Sequence, residues 1–252
     1  MINIILSGCN GKMGRVITRL SQVTDDINIV CGYDVGASET NDYPVYSDIN
    51  DFDSTADVVV DFSHPSVTDK LIDYCKNTQT ALVMATTGLS DSQIENLNAL
   101  SEFVPVFRSA NMSIGINLLI NLAEQAATLL EGKFDIEIVE KHHNQKIDAP
   151  SGTALMIADG ISDSLCSKPE YIYDRHSVRK KRDKNEIGIH SVRGGTIVGE
   201  HDVIFAGNDE ILEIRHTAMS KEIFAEGALR AALFIAGRKP GMYNMKNLIE
   251  LN

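Results

Sequence analysis

The sequence is poor in cysteine. Cys9, Cys31, Cys75 and Cys166 are the only four in 252 residues; they lie far apart, and no Cys-x-x-Cys pair occurs. That argues against a disulfide framework and for free thiols in a reducing compartment, so a cytoplasmic location is expected. Positive charge is also scarce: 23 Lys and Arg stand against 35 Asp and Glu, a formal net charge of −12. A surface of that sign does not attract nucleic acid or anionic membrane, and neither is expected as a partner. No apolar stretch reaches transmembrane length, and no segment is low in complexity. The opening "MINIILSGCNG" lacks a charged leader region and reads as a buried strand rather than a signal peptide. Tryptophan is absent, yet 43% hydrophobic and 23% charged residues make an ordinary globular composition. The length suits one large domain or two smaller ones. The one dense basic run, "RHSVRKKRDK" from Arg175 to Lys184, reads as a solvated loop.

What is present falls into two patterns. Short apolar, β-branched runs at Ile2–Leu6, Ile27–Asp34, Ala56–Phe62, Thr80–Ala85 and Val104–Ala110 alternate with helical segments. One helix carries Met13, Val16, Ile17, Leu20 and Val23 on a face, one opens at Pro65, and one is capped by Ser90 or Asp91. Strands and helices at this spacing imply an α/β domain with a parallel sheet. The second half changes character. A long apolar helix over Ile114–Leu130 precedes the alternating strand Asp135–His142, a helix over Thr153–Leu165, and strand-like runs at Ile187–Val192, Thr196–Phe205 and Ile211–Thr217. This half reads as α+β with a mixed or antiparallel sheet. A final helix, Lys221–Gly237, is apolar almost all round between Ala228 and Ala236, and so is expected to pack back against the first domain.

After the first strand, "GCNGKMG" sets Gly8, Gly11 and Gly14 at G-x-x-G-x-x-G spacing, at the start of a helix. Glycines there let the backbone approach a pyrophosphate, and the helix N-terminus offers N–H groups and positive potential. Asp34, twenty residues past Gly14 at the end of the second strand, can accept bonds from adenosine ribose hydroxyls. The bland alternative is a tight strand-to-helix turn that binds nothing. Three further loops, "DFSHP", "ATTG" and "SANMS", point toward the same sheet edge.

The densest chemistry lies in "EKHHNQKIDAPSGTA", Glu140 to Ala154. His142 ends a strand; His143, Lys146 and Asp148 follow in a loop; Ser151, Gly152 and Thr153 begin a helix. A helix N-terminus beside a lysine can hold a carboxylate or phosphate, and histidines carry protons near neutral pH. Three readings compete: a capped helix with surface histidines, a metal site, and an anion-binding proton-transfer site. Adjacent histidines point to different sides and no Cys or carboxylate sits at ligand spacing, so no metal is expected. Beside a cofactor fold, proton transfer is the reading that uses all the residues.

These stretches resemble the dihydrodipicolinate reductase family of the diaminopimelate–lysine pathway over nearly the full length. "GCNGKMGR" is similar to its cofactor loop, "EKHHNQKIDAPSGTA" to its active-site signature, and "VRGGTIVGEHDVIFAGNDEILEIRHTAMSKEIFAEGALRAA" to its C-terminal segment. The resemblance implies a Rossmann-type parallel-sheet dinucleotide-binding domain over 1–112 and 221–252, and a smaller α+β substrate and oligomerisation domain over 113–220. It implies reduction of a small dicarboxylate, 4-hydroxy-tetrahydrodipicolinate, by NADH or NADPH in a homotetramer. Proton donor or acceptor roles fall to His142 and Lys146, and substrate contacts to His143, Ser151, Gly152 and Thr153. Cofactor contacts fall to Gly8, Cys9, Asn10, Gly11, Lys12, Met13 and Asp34, to Ala85, Thr86 and Thr87, and to Ser109, Ala110, Asn111 and Met112. NADH is expected to be favoured, because the Asp34 carboxylate repels a 2′-phosphate and Val35 supplies no compensating charge, although Lys12 can blunt the preference. Two departures stand out: Ala85 replaces the first glycine of a Gly-Thr-Thr loop, and Ser220-Lys221 replaces Ser-Arg, keeping charge but losing the planar fork. Two other functions remain open on the residues alone: an amino-acid dehydrogenase acting on a different imine, and a dinucleotide-sensing module without catalysis.

Overall fold

The computed structural model describes residues 1–36 and 41–250, with nothing described of the Glu250 side chain. The chain forms two compact units, Met1–Ile114 with Glu222–Asn252 and Gly115–Lys221. In the first unit, β1 (Ile2–Ser7), α1 (Lys12–Ser21), β2 (Ile27–Tyr33), β3 (Val45–Tyr46), β4 (Val58–Asp61), α2 (Thr68–Thr78), β5 (Ala81–Met84), α3 (Asp91–Leu100) and β6 (Pro105–Arg108) alternate along the chain. The strands are parallel in the order β6-β5-β4-β1-β2-β3. Both faces of this sheet are covered, which is why its strands read as continuous apolar runs rather than alternating ones. Ile4, Val58, Val60 and Val83 pack in one core, while Ile5, Val59, Leu82 and Met84 pack in another with Leu71, Cys75, Leu97 and Leu100 of α2 and α3. The α3 N-terminus carries the full reciprocal cap, with Ser90 accepting from Gln93 N–H and the Gln93 side chain returning to Ser90 N–H.

The second unit runs through α4 (Ile114–Leu130), β7 (Asp135–His142), α5 (Gly152–Ser164), β8 (Glu170–Ile172), β9 (Glu186–Arg193), β10 (Gly199–Ala206) and β11 (Ile211–Ala218). Its sheet is mixed, in the order β11-β10-β7-β9-β8, with β7, β8 and β9 parallel and β10 antiparallel to both neighbours. Burial along β7 alternates residue by residue, so one face of the sheet is inside. On that face Ile136, Ile138, Ile187, Ile189, Val203 and Phe205 meet Leu119 and Ala123 of α4 and Ile157 and Ile161 of α5. The opposite face carries ion pairs: Lys141 with Glu200 at 3.1 Å and with Asp202 at 3.2 Å, and Arg215 with Asp202 at 3.0 Å. The inner apolar residues of β9 and β10 are therefore covered by the unit's own helices, while Ile211 and Leu212 of β11 stay exposed.

The chain then returns to the first unit as α6 (Glu222–Ile235), β12 (Gly241–Tyr243) and α7 (Met245–Glu250). Ala225, Ala228, Ala231, Ala232 and Ile235 of α6 fill the core beside Ile17, and β12 adds a seventh parallel strand beside β6.

One sequence expectation gains detail and one needs correction. The basic run is largely exposed, as expected of a solvated loop, but its charges are paired rather than free. Arg182 pairs with Asp135 and Glu137 and donates to the Ile136 and Glu186 carbonyls, Arg175 joins Glu137 to Glu186, and Lys180 reaches Glu186. Acidic side chains at the ends of β7 and β9 draw the loop down. The strand expected from Thr196 begins at Gly199 instead, because the chain is still turning: Gly195 lies at φ +47° and Ile197 N–H donates to the Gly194 carbonyl.

Candidate functional site

The glycine loop of the first unit is shaped by close approach. Gly8 sits at φ +80°, and a Cβ there would lie 2.5 Å from the Phe62 carbonyl oxygen; one on Gly14 would lie 2.2 Å from the Gly8 oxygen. Neither position accepts a side chain. Gly11 is the N-cap of α1 and has no side chain to bond the first turn. Asp34 anchors the loop from the end of β2, its two carboxylate oxygens accepting from Asn10 N–H and Gly36 N–H at 2.9 Å each. A cavity of about 450 Å³ opens here, lined by Gly8, Asn10, Gly11 and Asp34 together with Ser7, Tyr33, Phe62, Ser63 and His64. A bare helix N-terminus, glycines that keep the backbone exposed and a fixed carboxylate suit a dinucleotide's pyrophosphate and ribose. Ser63 and His64 belong to the loop "DFSHP", whose position at a strand end was the only signal for them.

The remaining expected cofactor residues divide by burial. Lys12 and Met13 open α1. Cys9, Ala85 and Met112 have side chains in the core, so these positions offer backbone to a ligand. Burial pushes the Cys9 thiol up to about 11. Ser63 N–H donates to Thr86 Oγ1 at 2.9 Å, Ser109 Oγ donates to the Asn111 carbonyl at 2.8 Å, and Asn111 Oδ1 accepts from Ser113 N–H at 2.8 Å. Thr87 and Ala110 lie in the same two loops. Beneath them Asp61, fully buried at the end of β4, faces the Ser63, Thr86 and Ser7 hydroxyls, and burial raises its pKa despite these bonds.

In the second unit the inner sheet face changes from apolar to polar along its strands. The phase that carries Ile136 and Ile138 continues as Glu140 and His142 on β7, the register brings Ser191 and Arg193 of β9 and His201 of β10 beside them, and His216 of β11 lies opposite His201. Glu140 is fully buried. Arg193 grips it with both terminal nitrogens, Nη2 to Oε1 at 2.7 Å and Nη1 to Oε2 at 2.8 Å. Ser151 N–H donates to Oε1 at 3.1 Å, and His142 Nδ1 lies 2.6 Å from Oε2. Burial alone would raise this carboxyl, but the Arg193 fork, Ser191, His142 and the Ser151 amide outweigh it and hold it at about 2. His201 Nε2 bonds Ser151 Oγ at 3.1 Å, and its ring meets that of His142 edge-on at 5.3 Å. Burial, then the neighbouring His142, lowers His201 to about 4, so it is neutral at pH 7.

Ser151 caps α5, its hydroxyl accepting from Ala154 N–H at 3.2 Å. Gly152 follows on the exposed first turn, with nothing within 4 Å of where a Cβ would stand, and Thr153 is half-buried. Lys146 pairs with Asp148 at 2.9 Å within the loop. That loop is tied to the β9–β10 turn by Gly194 N–H to the His142 carbonyl and Asn144 N–H to the Gly195 carbonyl. His143 is half-buried. The sequence reading assigned no role to Glu140, Arg193 or His201. The available signal was Glu140 itself, a carboxylate at the inward phase of an alternating strand, which needs a buried cation.

The parallel sheet and its glycine cradle place the first unit among the dinucleotide-binding α/β domains. Residues 2–112 match the family described as dihydrodipicolinate reductase, N-terminus, and residues 115–249 match dihydrodipicolinate reductase, C-terminus. The chain belongs to the dihydrodipicolinate reductase family, NAD(P)H-dependent oxidoreductases of lysine and diaminopimelate biosynthesis. It is 52% identical over 250 residues to the 4-hydroxy-tetrahydrodipicolinate reductase of Caldanaerobacter subterraneus subsp. tengcongensis, covering 99% of each chain. It is 53% identical over 250 residues to that of Clostridium tetani, covering 99% of this chain and 98% of the relative. Its fold is similar to the dipicolinate-bound dihydrodipicolinate reductase from Paenisporosarcina sp. TG-14, with a TM-score of 0.82 at 24% identity, over 98% of this chain and 99% of the other.

Proposed function

We propose that this chain reduces 4-hydroxy-tetrahydrodipicolinate, or its dehydrated form, to tetrahydrodipicolinate, with His142 and Lys146 managing the protons. The observation that carries the reading is the His142 ring held by Nδ1 on the Glu140 carboxylate, in the loop-and-helix segment that also carries Lys146 and the α5 N-terminus. A bound nicotinamide supplies the hydride. Charge that develops on the substrate ring must be quenched at nitrogen or carbon, and His142 and Lys146 are the groups able to deliver a proton. Gly152 and Thr153 receive a substrate carboxylate at the helix N-terminus, with His143 and Lys146 adding donors. Ser151 supports this end from within, since its amide serves Glu140 and its hydroxyl serves Ala154 N–H and His201. The dipicolinate held by the Paenisporosarcina enzyme is a flat ring dicarboxylate of the same kind.

Asp34 disfavours a 2′-phosphate, so both cofactors are used with NADH preferred. The cofactor contacts run from Gly8 to Met13 and through Asp34, Ala85–Thr87 and Ser109–Met112. The protein works in the cytoplasm as a homotetramer built through the second unit's sheet.

Purified protein mixed with NADH and enzymatically generated dihydrodipicolinate should oxidise the NADH; no loss of NADH absorbance would reject the reading. Gly152→Val tests the carboxylate site. The new side chain meets no protein atom within 4 Å at its Cβ, so the fold is expected to persist. KM for the dicarboxylate should rise about 10- to 100-fold, the worth of a charge-assisted hydrogen bond, while NADH affinity stays unchanged.

A further inference from the structure

We infer that Glu140, clamped by Arg193, is a positioning residue that keeps the neutral His142 ring protonated on Nδ1, leaving Nε2 as its only proton-exchanging atom. The inference rests on His142 being a proton carrier and says which atom carries the proton and what enforces that choice.

Donor and acceptor capacities fix where the ring proton sits. An ionised carboxylate only accepts. Oε1 of Glu140 receives Arg193 Nη2 and the Ser151 amide, and Oε2 receives Arg193 Nη1 at 2.8 Å. A guanidinium and a backbone N–H cannot accept, so neither can take a proton from Glu140. His142 Nδ1, 2.6 Å from Oε2, must therefore be the donor in that contact. The second ring nitrogen is then bare in the neutral ring and protonated in the charged one. Nε2 lies against Gly199, where a Cβ would stand 3.1 Å from it, so any larger residue there would crowd this nitrogen. Arg193 is held in turn by the Asp148 carbonyl, which accepts from Nη2 at 2.7 Å. The clamp thus joins β7, β9 and the loop leading into α5. Burial makes it demanding, because a carboxylate with no exposure is tolerated only when paired and fully bonded.

Glu140→Gln breaks this rule while keeping the shape. The amide oxygen is expected to stay on Arg193 and the Ser151 amide, which turns the NH₂ toward His142 Nδ1. That nitrogen must then accept, and the ring proton moves to Nε2. The test is nitrogen NMR on protein labelled with ¹⁵N histidine, at a pH where the ring is neutral, with His142→Ala identifying the signals. The wild type should show His142 protonated on Nδ1, and Glu140→Gln should show it protonated on Nε2. The same substitution should lower kcat about 100-fold, the lower end of what a general acid contributes, with KM for both substrates little changed. Arg193→Lys, which keeps the carboxylate charged, should retain the wild-type tautomer and lose less activity. A wild-type ring protonated on Nε2, or a Glu140→Gln variant with unaltered tautomer or unaltered kcat, would overturn the inference. The wild-type spectrum decides alone if Glu140→Gln does not fold. A kcat left intact by His142→Ala would instead overturn the proton role of the ring, with the tautomer assignment unaffected.

Discussion

Each unit buries a carboxyl completely in its sheet, Asp61 on β4 and Glu140 on β7, and the two are pushed in opposite directions. Desolvation is the largest influence on both and raises both. Asp61 has only hydroxyls and an amide to oppose it, and among the described residues no cation pairs with it, so its pKa stays raised. Glu140 has a two-pronged guanidinium, an amide and an imidazole, which reverse the sign. Burial does not decide a carboxyl's charge; the number and charge of its donors do. Asp61 therefore suits a structural role under the Ser63 and Thr86 loops, and Glu140 suits electrostatic control of a neighbouring base.

The most severe way to break this division is to remove the groups served by the charged cluster. His142→Ala and Lys146→Ala should each lower kcat by about 10²–10⁴-fold, while NADH affinity, measured by fluorescence titration, stays near wild type. Equal loss of both would mean that the two units are not functionally separate in this way. Next in size is the contrast in stability. Arg193→Met strands the Glu140 charge and should cost about 3–5 kcal/mol, whereas Asp61→Asn replaces a carboxyl whose charged form burial disfavours and should cost nothing, or stabilise, at pH 7. Urea unfolding at pH 7 measures both.

A pH series sharpens the same contrast, since the two sites should have opposite slopes. Glu140 is depressed from 4.5 to about 2, so its contribution is complete above pH 4.5 and is lost as pH falls toward 2. The gap between wild type and Glu140→Gln should close over that range. Asp61 is raised above 3.8, so wild type should match Asp61→Asn in acid and fall behind it as pH rises. Parallel slopes would refute the comparison. The smallest effect concerns His201. Its pKa is lowered from 6.5 to about 4, so the unfolded chain takes up a proton in that window before the fold does. Wild type should lose about 1 kcal/mol by one unit below pH 6.5, and His201→Gln should not.

The parallel-sheet unit was legible in sequence to within a few residues, because strands covered on both faces leave runs of Val, Ile and Leu between glycine turns. The bounds of α4 and β7, Ile114–Leu130 and Asp135–His142, also follow from periodicity alone. Strands β3, β8 and β12 escaped it, having only two or three residues each. Too short to show a period, they exist because a neighbouring strand edge pairs with them. What the basic run did not reveal has a related reason: its six Lys and Arg within ten residues stay largely exposed, but the acids that pair with them, Asp135, Glu137 and Glu186, are brought alongside only by the fold.

The candidate site residues divide in the same way. Local sequence determined the glycine loop, Asp34, the paired histidines with Lys146, and the Ser-Gly-Thr helix start, because each depends on backbone conformation or spacing within a few residues. Tertiary structure alone decided that Glu140 meets Arg193, 53 positions away, and that His201, 50 positions from Ser151, stands beside His142. Those contacts come from the register of β10 and β9 against β7, which is set by the apolar halves of the same strands. The charge on Glu140 and the neutrality of His201 follow from who their neighbours are, a property that neither residue carries in its own stretch of chain.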